Sequence, residues 1–187
     1  SMTGVDISDT LIDVLQEKIP ANNKARCRLV TDDIEGFLEN DAGTYDGIVC
    51  SALLHHLFDY ELIVRQLTGK LNRDGVLLIF FEPLKQRIDS PVRFKLHRAL
   101  GRLDEWMYER DMGRKKIPLI RDDYEVADFQ RRFGGIDPDR LVSQLKESGL
   151  EILSKHTFCA RRNAWAAWLA NRALSTHNTF NIIAKKI

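Results

Sequence analysis

The chain alternates short apolar runs with stretches in which apolar residues recur every three or four positions. Val5-Asp6-Ile7 ends the first run. Ser8 then stands where a helix N-cap belongs, and Leu11, Ile12, Leu15 and Ile19 repeat at helical spacing up to Pro20. Cys27 to Val30 predicts a second strand, stopped by Thr31-Asp32-Asp33, with a short helix through Phe37-Leu38 after it. Asp46 to Cys50 predicts a third strand, buried on both faces by its composition. A helix carrying Leu62, Ile63, Leu67 and Leu71 comes next, closed by Asn72-Arg73-Asp74-Gly75. The run VLLIFFEP is the strongest strand pattern and ends at Glu82-Pro83, because proline cannot continue a hydrogen-bond ladder. Residues 1–83 thus predict an α/β fold: a parallel sheet covered on both faces by its crossover helices.

The rhythm breaks over residues 84–135. Val92, Leu96, Leu100, Leu103 and Met107 mark one face of an amphipathic helix from Pro91 to Arg110, and the basic stretch Gly113-Arg114-Lys115-Lys116 follows. This region reads as a helical insert packed over the strand ends, mobile from Arg110 to Arg121. Asp137-Pro138 then opens a helix with Leu141 and Leu145 that stops at Gly149. Leu150 to Phe158 alternates as a strand. Cys159 to Leu174 reads as helical, with Trp165, Trp168 and Leu169 on one side, and Asn178 to Ile187 as a last strand. The two terminal strands can form an antiparallel edge. The 187 residues fit one domain, 1–187.

Composition narrows the class. At 44% hydrophobic and 29% charged the chain is ordinary for a globular protein. The longest apolar run, Gly75 to Phe81, is far short of a membrane span. Three cysteines without a CxxC spacing read as reduced thiols of a cytoplasmic protein, with neither a disulfide nor a metal site. The net charge is +1, yet residues 1–83 carry 7 basic against 14 acidic groups and residues 84–187 carry 21 against 13. Solvated helix faces account for such a split; a basic surface that attracts an anionic substrate is the sharper alternative. Arg114-Lys115-Lys116, Arg131-Arg132 and Arg161-Arg162 offer phosphate or carboxylate contacts, but aromatic interleaving is slight and no nucleic-acid motif is present.

In open α/β sheets ligands bind beyond the carboxyl ends of the strands, and Asp6, Asp32, Asp33, Ser51 and Glu82 all stand there. A carboxylate at Asp6 suits a ribose diol, with a helix cap as the plain alternative. Asp32 or Asp33 is placed to meet the amino edge of a purine, and either can equally cap the helix that starts near Ile34. His55 and His56 are candidates for a general base, with His55 facing the pocket, because imidazole titrates near neutral pH. Their alternative is packing and capping in the helix after the third strand. Cys50 reads as a core thiol rather than a nucleophile. His97, Trp106, Tyr108 and Tyr124 of the insert can line a substrate pocket, or Trp106 can anchor the insert to the sheet.

Five stretches in order carry a resemblance. TGVDIS, VTDDIEGF, YDGIVCSALLHHL, LNRDGVLLIFFEP, and the terminal pair KESGLEIL and THNTFNIIAKKI resemble the class I S-adenosylmethionine-dependent methyltransferases of the small-molecule type. The resemblance implies a Rossmann-like, mostly parallel sheet with an antiparallel carboxyl-terminal edge. It implies S-adenosyl-L-methionine as cofactor and a small-molecule methyl acceptor, with residues 84–135 as a substrate cap. Asp6 and Ile7 would then serve the ribose, Asp32, Asp33 and Ile34 the adenine, and Ser51, Ala52 and Leu53, with His55 and His56, the methyl-donor pocket. The glycine-rich loop of the family has no counterpart, since no GxGxG occurs. The expectation is a truncated chain, missing the strand that lies between the Val5 and Val49 strands, with weak or absent cofactor binding. A degenerate, non-catalytic domain that binds a partner is the competing reading.

Overall fold

The computed structural model describes residues 1–85, 88–117, 130 and 134–187. Strand β1 (Met2–Asp6) runs into Ser8, whose hydroxyl accepts the Leu11 N–H at 3.3 Å and starts α1 (Asp9–Lys18). A short α2 (Ala21–Lys24), unmarked by any periodicity, leads into β2 (Cys27–Thr31). Asp33 caps α3 (Ile34–Asn40), and β3 (Tyr45–Ser51) follows. Next come a 3₁₀ turn (Leu54–His56), α4 (Tyr60–Gly69) and β4 (Leu71–Pro83). The carboxyl-terminal part holds α5 (Pro91–Lys115), α6 (Pro138–Glu147), β5 (Leu150–Phe158), α7 (Ala164–Leu169) continued by a π turn (Ala170–Leu174), and β6 (Thr179–Lys186).

Parallel pairing at the start and an antiparallel edge at the end are both present. Among the described residues, however, the strands form two sheets rather than one. β1 pairs only with β2, and β3, β4, β6 and β5 form the other sheet in that order. β3–β4 is parallel, while β4–β6 and β5–β6 are antiparallel. β3 therefore has one partner, and Val49, expected to be buried, is 64% exposed.

Register explains which side chains are covered. Ile48, Leu77 and Ala184 lie in one row and Cys50, Ile79 and Ile182 in the next on the same face, where they meet Leu141, Leu145 and Phe180 in the main core. Val49, Leu78 and Ile183 lie opposite one another on the other face. The first face is closed and the second is partly open, which corrects the expectation of a sheet covered on both sides. The smaller sheet is tied in by Val5 and Val30, which pack on the main core, and by Asp41. The Asp41 carboxylate binds Arg28 of β2 at 3.0 Å and the Tyr45 hydroxyl of β3 at 2.9 Å. Burial pushes the Asp41 pKa up, but these hydrogen bonds outweigh it and hold the group below its usual range.

Three helix readings need correction. α4 stops at Gly69; Leu71 already pairs with Tyr45, and the expected turn Asn72–Gly75 is an irregularity inside β4 with Asp74 at φ 65°. α5 runs on to Lys115, and of its expected apolar stripe only Leu100 is buried; Val92 is 67% exposed. Its inward face is His97, Leu100 and Asp104, because the carboxyl-terminal segment offers polar partners there. α7 begins at Ala164 rather than Cys159, buries Ala166, and leaves Trp165 and Trp168 exposed. Trp106 is also exposed, under the Arg110 guanidinium, so it is not a buried anchor. The stretch expected to be mobile beyond Arg110 is helical as far as Lys115, and Arg121, Tyr124, Arg131 and Arg132 lie outside the described residues. Among the described residues no helix is long and apolar enough to cross a membrane.

Candidate functional site

Two groups of the expected residues gather at carboxyl ends of strands. The first belongs to the small sheet. The β1–β2 register sets Asp6 opposite Thr31, and the Asp32 N–H donates to the Asp6 carbonyl at 3.1 Å, so the acids of the two strands are neighbours. Asp6 Oδ1 accepts the Ser8 N–H at 2.9 Å and shapes the turn into α1. Asp32 Oδ1 accepts the Asp33 N–H at 3.0 Å, and Asp33 Oδ1 accepts the Gly36 N–H at 2.6 Å as the cap of α3. The second carboxylate oxygens of Asp6 and Asp32 have no hydrogen-bond partner among the described residues, so each acid keeps an acceptor to spare. Gly36 leaves the room that the Asp32 and Asp33 carboxylates need, since a Cβ there would sit 2.9 Å from Asp32 Oδ1 and 3.3 Å from Asp33 Oδ1. Ile7, beside them, is 77% exposed.

The second group forms where β3 and β4 end together. Ser51 pairs with Phe80, and the Ala52 N–H donates to the Phe80 carbonyl at 2.8 Å. Ala52 then takes φ 51°, a left-handed conformation that costs a non-glycine residue roughly 1 kcal/mol or more. It swings the chain off the strand and into the 3₁₀ turn, so His55 and His56 stand on a single tight turn and not on the expected helix. The side chain of Glu82, wholly buried at the end of β4, holds this turn. Glu82 Oε1 accepts the Leu53 and Leu54 N–H groups at 2.8 and 2.9 Å, and Oε2 accepts the His55 N–H at 3.1 Å. His55 Nδ1 lies 3.0 Å from the same Oε2. His55 is 4% exposed, whereas His56 is exposed, with the two rings 4.0 Å apart.

Glu82 is the residue whose role the sequence reading missed. Its one signal was an acid closing an otherwise apolar strand. Cys50, near the end of the neighbouring strand β3, has its thiol pKa pushed up to about 12 by burial, with the Glu82 charge adding to it. Burial and the raised pKa both oppose a thiolate at Cys50 at neutral pH, in keeping with a core thiol.

Beyond the turn, a polar cavity is lined by Tyr60, Lys85, Gln130 and Arg140 among others. Arg140 is paired with Glu61 at 2.6 Å. The expected pocket residue His97 lies elsewhere, buried between α5 and the carboxyl-terminal segment.

The chain resembles known proteins in part of its sequence and in its fold. Residues 1–77 match the family described as a methyltransferase domain. An uncharacterised methyltransferase of Schizosaccharomyces pombe is 30% identical over 84 residues, which span 42% of this chain and 30% of that protein. The chain thus corresponds to less than a third of that relative's length. The N-methyltransferase NodS of Bradyrhizobium japonicum, solved with S-adenosyl-L-homocysteine, superposes with a TM-score of 0.51 at 12% identity, over 98% of this chain and 65% of NodS. The [4+2]-cyclase SpnF superposes with a TM-score of 0.55 at 12% identity, over 98% of this chain and 66% of SpnF. Residues 1–77 thus resemble a methyltransferase domain, and the chain shares its α/β fold with solved methyltransferases and with the cyclase SpnF.

Proposed function

We propose that the protein containing this domain transfers a methyl group from S-adenosyl-L-methionine to a small-molecule acceptor. The observation that carries the reading is the pair of acids at adjacent strand ends, Asp6 and Asp32, each with a spare oxygen, inside the segment that matches a methyltransferase domain. Asp6 would accept hydrogen bonds from the ribose hydroxyls, and Asp32, Asp33 and Ile34 would frame the adenine. Ser51, Ala52 and Leu53 would line the methyl-donor side. The cofactor, when bound, supplies an activated methyl group on a sulfonium. The chain's own part is alignment: the turn at Ala52–His56 is held rigid by Glu82, which favours one approach line for an acceptor. His55 is the nearby group able to take a proton from a hydroxyl or amine acceptor. The polar cavity, where Lys85 and Arg140 stand among Asp59, Glu61 and Asp137, suits a polar acceptor able to both donate and accept hydrogen bonds.

The test is a calorimetric titration of S-adenosyl-L-homocysteine into the longest natural polypeptide that contains these residues. It is paired with transfer of labelled methyl from S-adenosyl-L-methionine to a panel of small carboxylates, phosphates and neutral compounds. Asp6→Asn is expected to weaken binding roughly tenfold to a hundredfold, the worth of charge-assisted hydrogen bonds to two hydroxyls. An unchanged affinity would remove Asp6 from the ribose role. Transfer itself must be measured, because SpnF shares the fold and is a cyclase.

A further inference from the structure

We propose that Glu82 is a positioning residue that fixes the tautomer of His55. Four nitrogens converge on its two oxygens: Leu53 N and Leu54 N on Oε1, His55 N and His55 Nδ1 on Oε2, all between 2.8 and 3.1 Å. Glu82 is wholly removed from water, so these four contacts replace its hydration. Three of the four are backbone N–H groups, which can only donate. A carboxylate oxygen already accepting from the His55 backbone matches a protonated Nδ1, which donates as well. Whenever the ring is neutral, His55 is thereby set as the Nδ1–H tautomer, with its lone pair on Nε2.

The same carboxylate therefore performs two tasks through one set of contacts. It holds the strained turn at Ala52, and it decides which imidazole nitrogen is basic. The pairing works as a buried carboxylate does behind a catalytic imidazole in hydrolases, where the wrong tautomer abolishes proton acceptance. The inference rests on the reading of this turn as the methyl-transfer side of the site, and the experiment separates the two.

The decisive measurement is the imidazole tautomer of His55 by long-range 15N–1H NMR, assigned by the loss of its signals in His55→Asn. The wild type is expected to show Nδ1–H. Glu82→Gln is expected to invert it. The amide of the new side chain faces two backbone donors on one side and only one on the other, so its carbonyl oxygen stays with Leu53 and Leu54. Its NH2 group then meets His55 Nδ1, which must turn acceptor. A wild-type Nε2–H tautomer, or a Glu82→Gln protein that keeps the wild-type tautomer, overturns the proposal. Should Glu82→Gln fail to fold, the wild-type spectrum decides alone.

In methyl-transfer assays Glu82→Gln is expected to lower kcat by about a hundredfold or more, the usual worth of a positioned base. An inverted tautomer with unchanged kcat overturns the positioning role while leaving methyl transfer intact. Absence of any transfer by the wild type would sink the methyltransferase reading, whereas the tautomer would still report on Glu82.

Discussion

Arg161 donates to His97 Nε2 across 3.0 Å in the interior, so a permanent cation faces an imidazole that must stay neutral. The other ring nitrogen lies 2.8 Å from the Thr176 hydroxyl, which places the proton on Nδ1. Arg161 Nη2 also reaches the His97 carbonyl at 3.3 Å. The Asp104 carboxylate, one further turn pair along α5, accepts from the Arg162 and Asn163 backbones and the Asn163 amide. Together these contacts clamp α5 onto the segment before α7.

This arrangement makes stability depend on pH. Burial lowers the His97 pKa, and the Arg161 charge lowers it further. The unfolded chain therefore binds the proton more readily than the folded one. The stabilisation is complete above the unfolded value near 6.5 and is lost as pH falls through the lower folded value. Melting temperature is expected to fall as pH drops from 7.5 towards 5, and His97→Gln is expected to flatten that dependence. A melting curve series equally steep in both proteins would assign the effect elsewhere, for instance to His177, whose pKa burial also lowers.

The two faces of the larger sheet should respond differently to substitution. Val49 is 64% exposed at the free edge of β3, and Val49→Lys is expected to change stability by no more than about 1 kcal/mol. Ile79, fully buried on the opposite face of β4, should lose about 2–5 kcal/mol on change to Ala. Urea unfolding of both variants checks this. A large loss from Val49→Lys would mean that the open face is covered in solution.

Thiol reactivity gives a further check. Cys27 is half-buried, while Cys50 and Cys159 are buried, and burial raises the pKa of both. At pH 8 an aromatic disulfide reagent should modify one thiol in the folded protein and three after unfolding. Rapid reaction of Cys50 would contradict the packing at the end of β3.

Gly135 sits at φ 97° where the chain returns to β4, next to the bridge between Leu84 and Ile136. A Cβ there would meet the Leu84 carbonyl at 2.8 Å. Gly135→Ala is expected to lose about 2 kcal/mol or more in chemical unfolding, because both the conformation and the backbone contact oppose it. A loss below about 0.5 kcal/mol would show that this junction yields easily.

Local rhythm was enough to locate nearly every strand in the chain. Apolar runs with caps such as Ser8 and Asp33 act over a few residues, so β1, β2, β3 and the core of β4 are legible one by one. The candidate cofactor acids were legible for the same reason: parallel strands bring their carboxyl ends to one side, where Asp6 closes β1 and Asp32 directly follows β2. Periodicity failed on α5, where the stripe through Val92 and Leu96 suggested one inward face and the protein buries His97 and Asp104 instead. The competing term is hydrogen bonding to Arg161, Arg162, Asn163 and Thr176, residues 58 to 79 positions away, which no local pattern reveals.

By itself, then, the amino-acid order determined where the strands form and which polar groups cap α1 and α3, since those choices rest on short-range sterics and capping. Only the tertiary structure decided that β1 and β3 have no common sheet among the described residues, and which face of β3 meets solvent. It alone brought Glu82 to His55 across 27 residues, because that meeting depends on β3 and β4 lying parallel in one particular register. A shift of one residue would point Glu82 to the opposite face and leave the turn at Ala52–His56 unheld.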